Sequence, residues 1–210
     1  MPDASLLATF ALAVLVLELT PGPNMAWLAV LSAAEGRRAG LAAVAGIALG
    51  LLTIGAAAAI GLAAVVAGSP ALFELLRWAG ALYLLWLAFE GWREAGESSP
   101  ARLSKGDVKN FRHGFVINAL NPKAGLFYIA VLPDFMRGEA PEGVQALVLT
   151  VISVMIATGV HLVIISLAGT AHRWMQDGVR ERRIRRGLSL LLVLIAVWLF
   201  FSVGAGPGGG

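Results

Sequence analysis

Glu18-Leu19-Thr20-Pro21-Gly22-Pro23-Asn24 interrupts the first long apolar run of the chain, and Asn118-Ala119-Leu120-Asn121-Pro122-Lys123 interrupts the fourth. Proline removes a backbone donor and clashes with the preceding helical turn. Inside a membrane span it therefore frees polar backbone where water cannot satisfy it. Such breaks persist where the opened backbone lines a cavity, and in transporters that cavity is the substrate or ion site.

Composition says which solvent surrounds these breaks. Of 210 residues, 58% are hydrophobic and only 14% charged, with a mean hydropathy of +0.80, more apolar than a single soluble core requires. The chain reads as a membrane protein. A net charge of +3 and a pI near 9.8 would suggest nucleic acid for a soluble chain. Here the basic residues gather in the connections, so their meaning is topological and no nucleic-acid partner is expected. Cysteine is absent, which excludes disulfides, thiolate metal sites and dithiol relays. No Lys or Arg precedes the first apolar run and no small-residue cleavage pattern follows it. The first span is thus expected to stay rather than be removed as a signal peptide.

A hydrocarbon core of ~30 Å takes about 20 helical residues. Six runs qualify, near 4–32, 40–67, 71–92, 114–136, 144–170 and 187–203. Five spans is the competing count, because Asn118, Asn121 and Lys123 interrupt the fourth run and the sixth is shortest. The first, third and fifth connections hold thirteen of the sixteen Lys and Arg residues, among them Arg37, Arg38, Lys105, Lys109 and the arginines from 180 to 186. The positive-inside rule makes those connections cytoplasmic and puts both termini outside. Such regular alternation favours six.

The Gly-, Ser-, Pro- and charge-rich stretch 93–113 reads as a cytoplasmic basic loop between a first half, 1–92, and a second, 114–203, followed by a glycine-rich tail at 204–210 that is expected to be disordered. Three spans per half make the halves inverted in the membrane. An offset of 101 residues lays Pro21 on Pro122 and Asn24 on Gly125. Pro21 lies 14 residues before Glu35 and Pro122 lies 15 before Arg137, so at ~1.5 Å per residue each is ~20 Å from its exit side and near the midplane. The predicted fold class is an all-α integral membrane protein of six transmembrane helices, two inverted three-helix repeats with helices 1 and 4 broken.

Around the breaks, Thr20, Pro21, Gly22, Pro23 and Asn24 on one side and Asn121, Pro122 and Lys123 on the other are the candidate substrate-binding residues. The helices restarting after each break point free N–H groups into the gap, and helix N-termini attract anions. Lys123 adds a full positive charge. Unpaired at the midplane it would cost ~2.5 kcal/mol or more, so simple snorkelling is the weaker account, and a substrate carboxylate suits both features. Glu18 is open to three roles: partner to Lys123, contact for a substrate ammonium, or proton carrier. Asn121, preceding proline, is the natural cap of the restarted helix. Asn24 leans towards substrate contact, and Asn118 adds a further amide. His161, mid-way along the fifth span, is the second proton-coupling candidate, set against an ordinary interhelical hydrogen bond.

Other features have simpler readings. Gly46 and Gly50 are expected at a close helix–helix contact. Trp27, Trp78, Trp92 and Trp198 are expected near interfaces. Glu74 with Arg77, and Asp134 with Arg137, read as interfacial ion pairs, and Glu90 as a snorkelling group. Arginines 180–186 are a candidate contact for anionic lipid. Metal-ligand spacing, a phosphate loop and a nucleophile motif are all missing, so neither a cofactor, a metal nor an enzymatic role is expected.

Five motifs in order resemble the LysE/RhtB family of amino-acid exporters over nearly the whole chain. They are Thr20-Pro21-Gly22-Pro23-Asn24, the Gly36-Arg37-Arg38-Ala39-Gly40-Leu41 turn, Gly46-Ile47-Ala48-Leu49-Gly50, Gly80-Ala81-Leu82-Tyr83-Leu84, and Asn121-Pro122-Lys123-Ala124 with Leu132-Pro133. The resemblance implies a small bacterial inner-membrane exporter of amino acids or their derivatives, drawing on the proton motive force, with a second copy of the chain as a candidate partner. Glu18 stands where the family is usually apolar, and Leu52-Thr53 in span two stand where it often has a polar or histidine residue, so the substrate stays open. Efflux of a metal cation or oxyanion is the alternative within transport, and a membrane assembly protein the alternative outside it.

Overall fold

The computed structural model describes residues 4–20, 22–61, 68–94, 106–136 and 140–172, with isolated positions between 186 and 197. Among these the chain is helical throughout, without strands. The first predicted span is two helices, α1 (Ala4–Leu19) and α2 (Pro23–Glu35), bent by 57° at the break. Gly36, at φ 87°, then turns the chain into α3 (Arg37–Ala59), a left-handed conformation that glycine adopts without steric cost. The third run becomes α4 (Pro70–Glu94), whose first turn is held by the Ser69 hydroxyl accepting the Leu72 N–H at 3.3 Å.

The fourth span differs from expectation at both ends. Helix α5 (Gly106–Ala119) begins inside the predicted loop, so 106–113 is helical, and α6 (Pro122–Leu126) runs on not as α-helix but as a π-turn (Phe127–Val131) and a 3-10 turn (Leu132–Phe135). Pro133 supplies the reason. It cannot donate to the carbonyl four residues back, so the hydrogen-bond ladder widens before it and tightens after it. Helix α7 (Glu142–His172) covers the fifth run. Most of the sixth run, the arginines 180–185, Trp198, Arg137 and the tail lie outside the described residues, as do the side chains of Arg77 and Glu90.

Among the described residues α3 and α7 are each long and apolar enough to cross a membrane, and the bent α1–α2 pair qualifies together as a third. Helix α3 is the hub, packed on α5, α7 and α2. Its glycines set the spacing. A methyl group at Gly46 would collide with the Phe111 carbonyl of α5, and one at Gly114 of α5 would collide with the Ala43 carbonyl of α3. The two backbones touch reciprocally, the close approach expected of small residues in a membrane. Beside this seam Phe10 of α1 packs on Phe127 and Phe135, with ring centroids 5.9 and 5.1 Å apart.

Trp27 is a correction. It is 4% exposed rather than interfacial, because α2 restarts only four residues earlier and turns it inward, with its ring 6.4 Å from that of His113. Trp78 and Trp92 are exposed. At one end of the molecule Arg38 pairs with Asp107 at 2.8 Å, Arg37 donates to the Ser166 carbonyl at 3.0 Å, and Asn110 donates to Glu35 at 3.3 Å. The first connection, the start of α5 and the end of α7 thus meet there.

Candidate functional site

The two breaks face each other. Before the first, the α1 ladder ends with Thr20 N–H bonded to the Val16 and Leu17 carbonyls. Pro21 lies outside the described residues, Gly22 is extended at φ −152° and ψ 173°, and Pro23 opens α2 without a side-chain cap. The Thr20 hydroxyl turns back to its own helix and donates to the Val16 carbonyl at 2.9 Å. Its carbonyl is left for a partner from elsewhere. That partner is Lys123, whose Nζ donates to it at 2.8 Å.

At the second break Asn121 is extended, at φ −79° and ψ 111°, and its Oδ1 accepts the Lys123 N–H at 3.1 Å. Asn121 is the cap the sequence predicts, and Pro122 takes the first helical position, where its missing N–H costs nothing. Lys123 then projects over Gly22: a methyl group there would stand 3.4 Å from its Cδ. The ammonium is bonded to backbone rather than to the Glu18 carboxylate.

Glu18 faces His161 instead, with Oε2 3.7 Å from Nε2 and side chains 15% and 3% exposed. His161 lies on α7 in line with Leu149, Ser153, Ala157 and Ile165, a buried ladder of every fourth residue. Asn24 and Asn118, at the restart of α2 and the end of α5, are joined by an amide–amide hydrogen bond of 2.6 Å. Glu18, Asn24, Asn118, Lys123 and His161, with Tyr128 and Ser153, line one partly closed cavity of about 30 Å³.

Of the predicted residues, Glu18, Gly22, Asn24, Asn121, Lys123 and His161 meet in this cavity. Thr20 contributes its backbone only. Pro23 and Pro122 shape the restarts. Tyr128 and Ser153 were not legible as cavity residues, although Ser153 and His161, about two helical turns apart on a largely apolar helix, carried a readable signal. Among the described residues no group of three His, Cys, Asp or Glu side chains is placed to hold a metal ion.

The family model for LysE type translocators matches residues 15–202, spanning both breaks and every cavity residue except Val14. The chain belongs to that family. Among its relatives, the homoserine/homoserine lactone efflux protein of Salmonella typhimurium is 28% identical over 186 residues, 88% of this chain and 90% of that protein. A membrane protein of Pseudomonas aeruginosa is 34% identical over 171 residues, 73% of this chain and 79% of its own length. The leucine efflux protein of an Enterobacter species is 26% identical over 188 residues, 88% of this chain and 89% of that protein. No solved structure matches. As a LysE type translocator the chain is a membrane protein and a transporter of small molecules, and its cavity is the place to look for them.

Proposed function

We propose that this translocator exports a small zwitterionic amino acid or amino-acid derivative from the cytoplasm across the bacterial inner membrane, by alternating access and in exchange for protons. The observation that carries this reading is that two helix breaks, about a hundred residues apart in sequence, share one buried cavity holding a cation and a carboxylate. The efflux activities named for the Salmonella and Enterobacter relatives support the substrate class.

In this reading Lys123 and the free N–H groups opening α2 hold the substrate carboxylate. Lys123 has hydrogens to spare beyond the one given to Thr20. Glu18 receives the substrate ammonium, and the Glu18–His161 pair, 3.7 Å apart here, passes the coupling proton when it closes to hydrogen-bond distance. The cavity volume suits about two waters, so a zwitterion enters only when the broken spans part and the Lys123–Thr20 bond opens. Six spans in two inverted halves, 1–92 and 114–203, with the basic connections inside and both termini outside, complete the proposal. The alternation of basic loops supports it, as does the meeting of Arg37 and Arg38 with the starts and ends of other helices at one end.

Efflux from amino-acid-loaded proteoliposomes tests the reading. Lys123→Ala is expected to abolish export while inserting normally, and unchanged efflux would sink the site. Glu18→Gln is expected to remove the response to an imposed pH gradient. A full response in that variant rejects the proton path.

A further inference from the structure

The Asn24–Asn118 pair has no part in the mechanism just described. Both residues are more than nine-tenths buried, and both line the cavity. Their mutual bond, Asn24 Nδ2 to Asn118 Oδ1, uses one end of each amide. The other ends, Asn24 Oδ1 and Asn118 Nδ2, have no hydrogen-bond partner among the described residues. Exchanging oxygen and nitrogen in both amides leaves the same inventory, one acceptor and one donor.

Much of the remaining polar wall is committed. The Tyr128 hydroxyl donates to the Leu51 carbonyl at 3.3 Å, the Ser153 hydroxyl to the Leu149 carbonyl at 2.9 Å, and Asn121 Oδ1 is taken by the Lys123 N–H. Beside Asn118, α3 presents Gly50, where a methyl group would stand 3.0 Å from Nδ2. Glycine at this position lets the Asn118 amide pack directly on the α3 backbone.

A buried donor and acceptor left unpaired are costly, and a ligand group that supplies both an acceptor and a donor recovers the cost where a methyl of the same shape does not. A hydroxyl is the smallest such group. We propose that Asn24 and Asn118 form a specificity-determining subsite for the substrate side chain, selecting a small hydroxylated amino acid over its aliphatic isostere. The hydroxyl donates to Asn24 Oδ1 and accepts from Asn118 Nδ2. Assigning the ammonium and carboxylate to Glu18 and Lys123 rests on the export reading above.

Threonine and valine are the matched probes, since they differ by hydroxyl against methyl. Binding to the purified full-length chain in detergent and efflux from proteoliposomes are measured for both. The wild type is expected to bind threonine at least about tenfold more tightly than valine, the scale of one well-placed hydrogen bond. Asn24→Leu with Asn118→Leu removes both partners together and leaves no orphan, and is expected to bring the ratio to one or below. The near-isosteric Asn118→Asp, which turns the free donor into an acceptor, tests the idea even where the double variant fails to fold, and is expected to cut the ratio at least threefold. Equal affinities in the wild type, preference for valine, binding of neither, or a ratio that survives both variants overturns the proposal. Selective binding without efflux upholds the subsite and removes the export reading; equal binding with equal efflux does the reverse.

Discussion

At Asn121-Pro122 the chain caps its own restart, with the Asn121 side chain on the Lys123 N–H at 3.1 Å, and Gly80 of α4 lies hard against the Leu120 carbonyl behind it. At Pro21-Gly22-Pro23 no side chain caps α2, and the Thr20 carbonyl is met by an ammonium 103 residues away. One break is satisfied locally and buttressed, while the other borrows from it. The comparison teaches that two facing breaks need not carry equal loads: the second supplies the charge and the first supplies the open backbone.

Removing the loan should have the largest effect. Lys123→Ala strands the Thr20 carbonyl and takes away the proposed carboxylate partner together, so efflux is expected to fall about a hundredfold or more, the scale of two lost charge-assisted hydrogen bonds. Proteoliposome efflux against reconstituted protein amount measures it. A fall no larger than that of Asn121→Ala would erase the asymmetry.

Next is the buttress. At Gly80 an added methyl would meet the Leu120 carbonyl at 2.5 Å, whereas at Gly22 it would make ordinary contact 3.4 Å from Lys123 Cδ. Gly80→Ala is therefore expected to destabilise by about 1–3 kcal/mol through overpacking. Gly22→Ala should cost clearly less, its φ of −152° being open to any residue. Thermal unfolding in detergent compares the two, and equal losses would mean that the first break is as tightly packed as the second.

The cap comes third. Asn121→Ala is expected to cost about 1 kcal/mol of stability, and Asn121→Asp, which keeps the accepting oxygen, less than half of that. Equivalent losses in the same unfolding assay would show that packing, not the cap, holds the restart. Smallest is Thr20→Val. The Thr20 hydroxyl bonds only within its own helix while the carbonyl meets Lys123, so efflux should stay within about twofold of wild type, a local bond of this kind being worth little. A collapse of efflux in Thr20→Val would move the first break's role from backbone to side chain.

Much of this site was legible from covalent chemistry. Proline at 21, 23 and 122 cannot sit inside a continuous α-helix without breaking or kinking it, and Asn before Pro122 is a natural cap. The Gly46 contact followed from the exclusion of side chains where helices touch. Pairings across the fold were harder. Glu18 had three roles on offer, and nothing in the order of residues brought it to His161 on α7 rather than to Lys123 on α6. Trp27 is buried rather than facing the surface because the rotation of α2 decides which of its faces turns inward. The π and 3-10 turns after Leu126 failed because a single Pro133 redirects several hydrogen bonds upstream.

The membrane solvent, the two breaks and the charge beside one of them follow from residue types alone, since hydropathy, proline sterics and the cost of a buried lysine are local properties. That Lys123 reaches the Thr20 carbonyl, that Glu18 turns to His161, and that Asn24 and Asn118 hold each other with one end free are matters of helix rotation and crossing. Those depend on every packed contact of α3 with its neighbours, which no short stretch of the chain encodes.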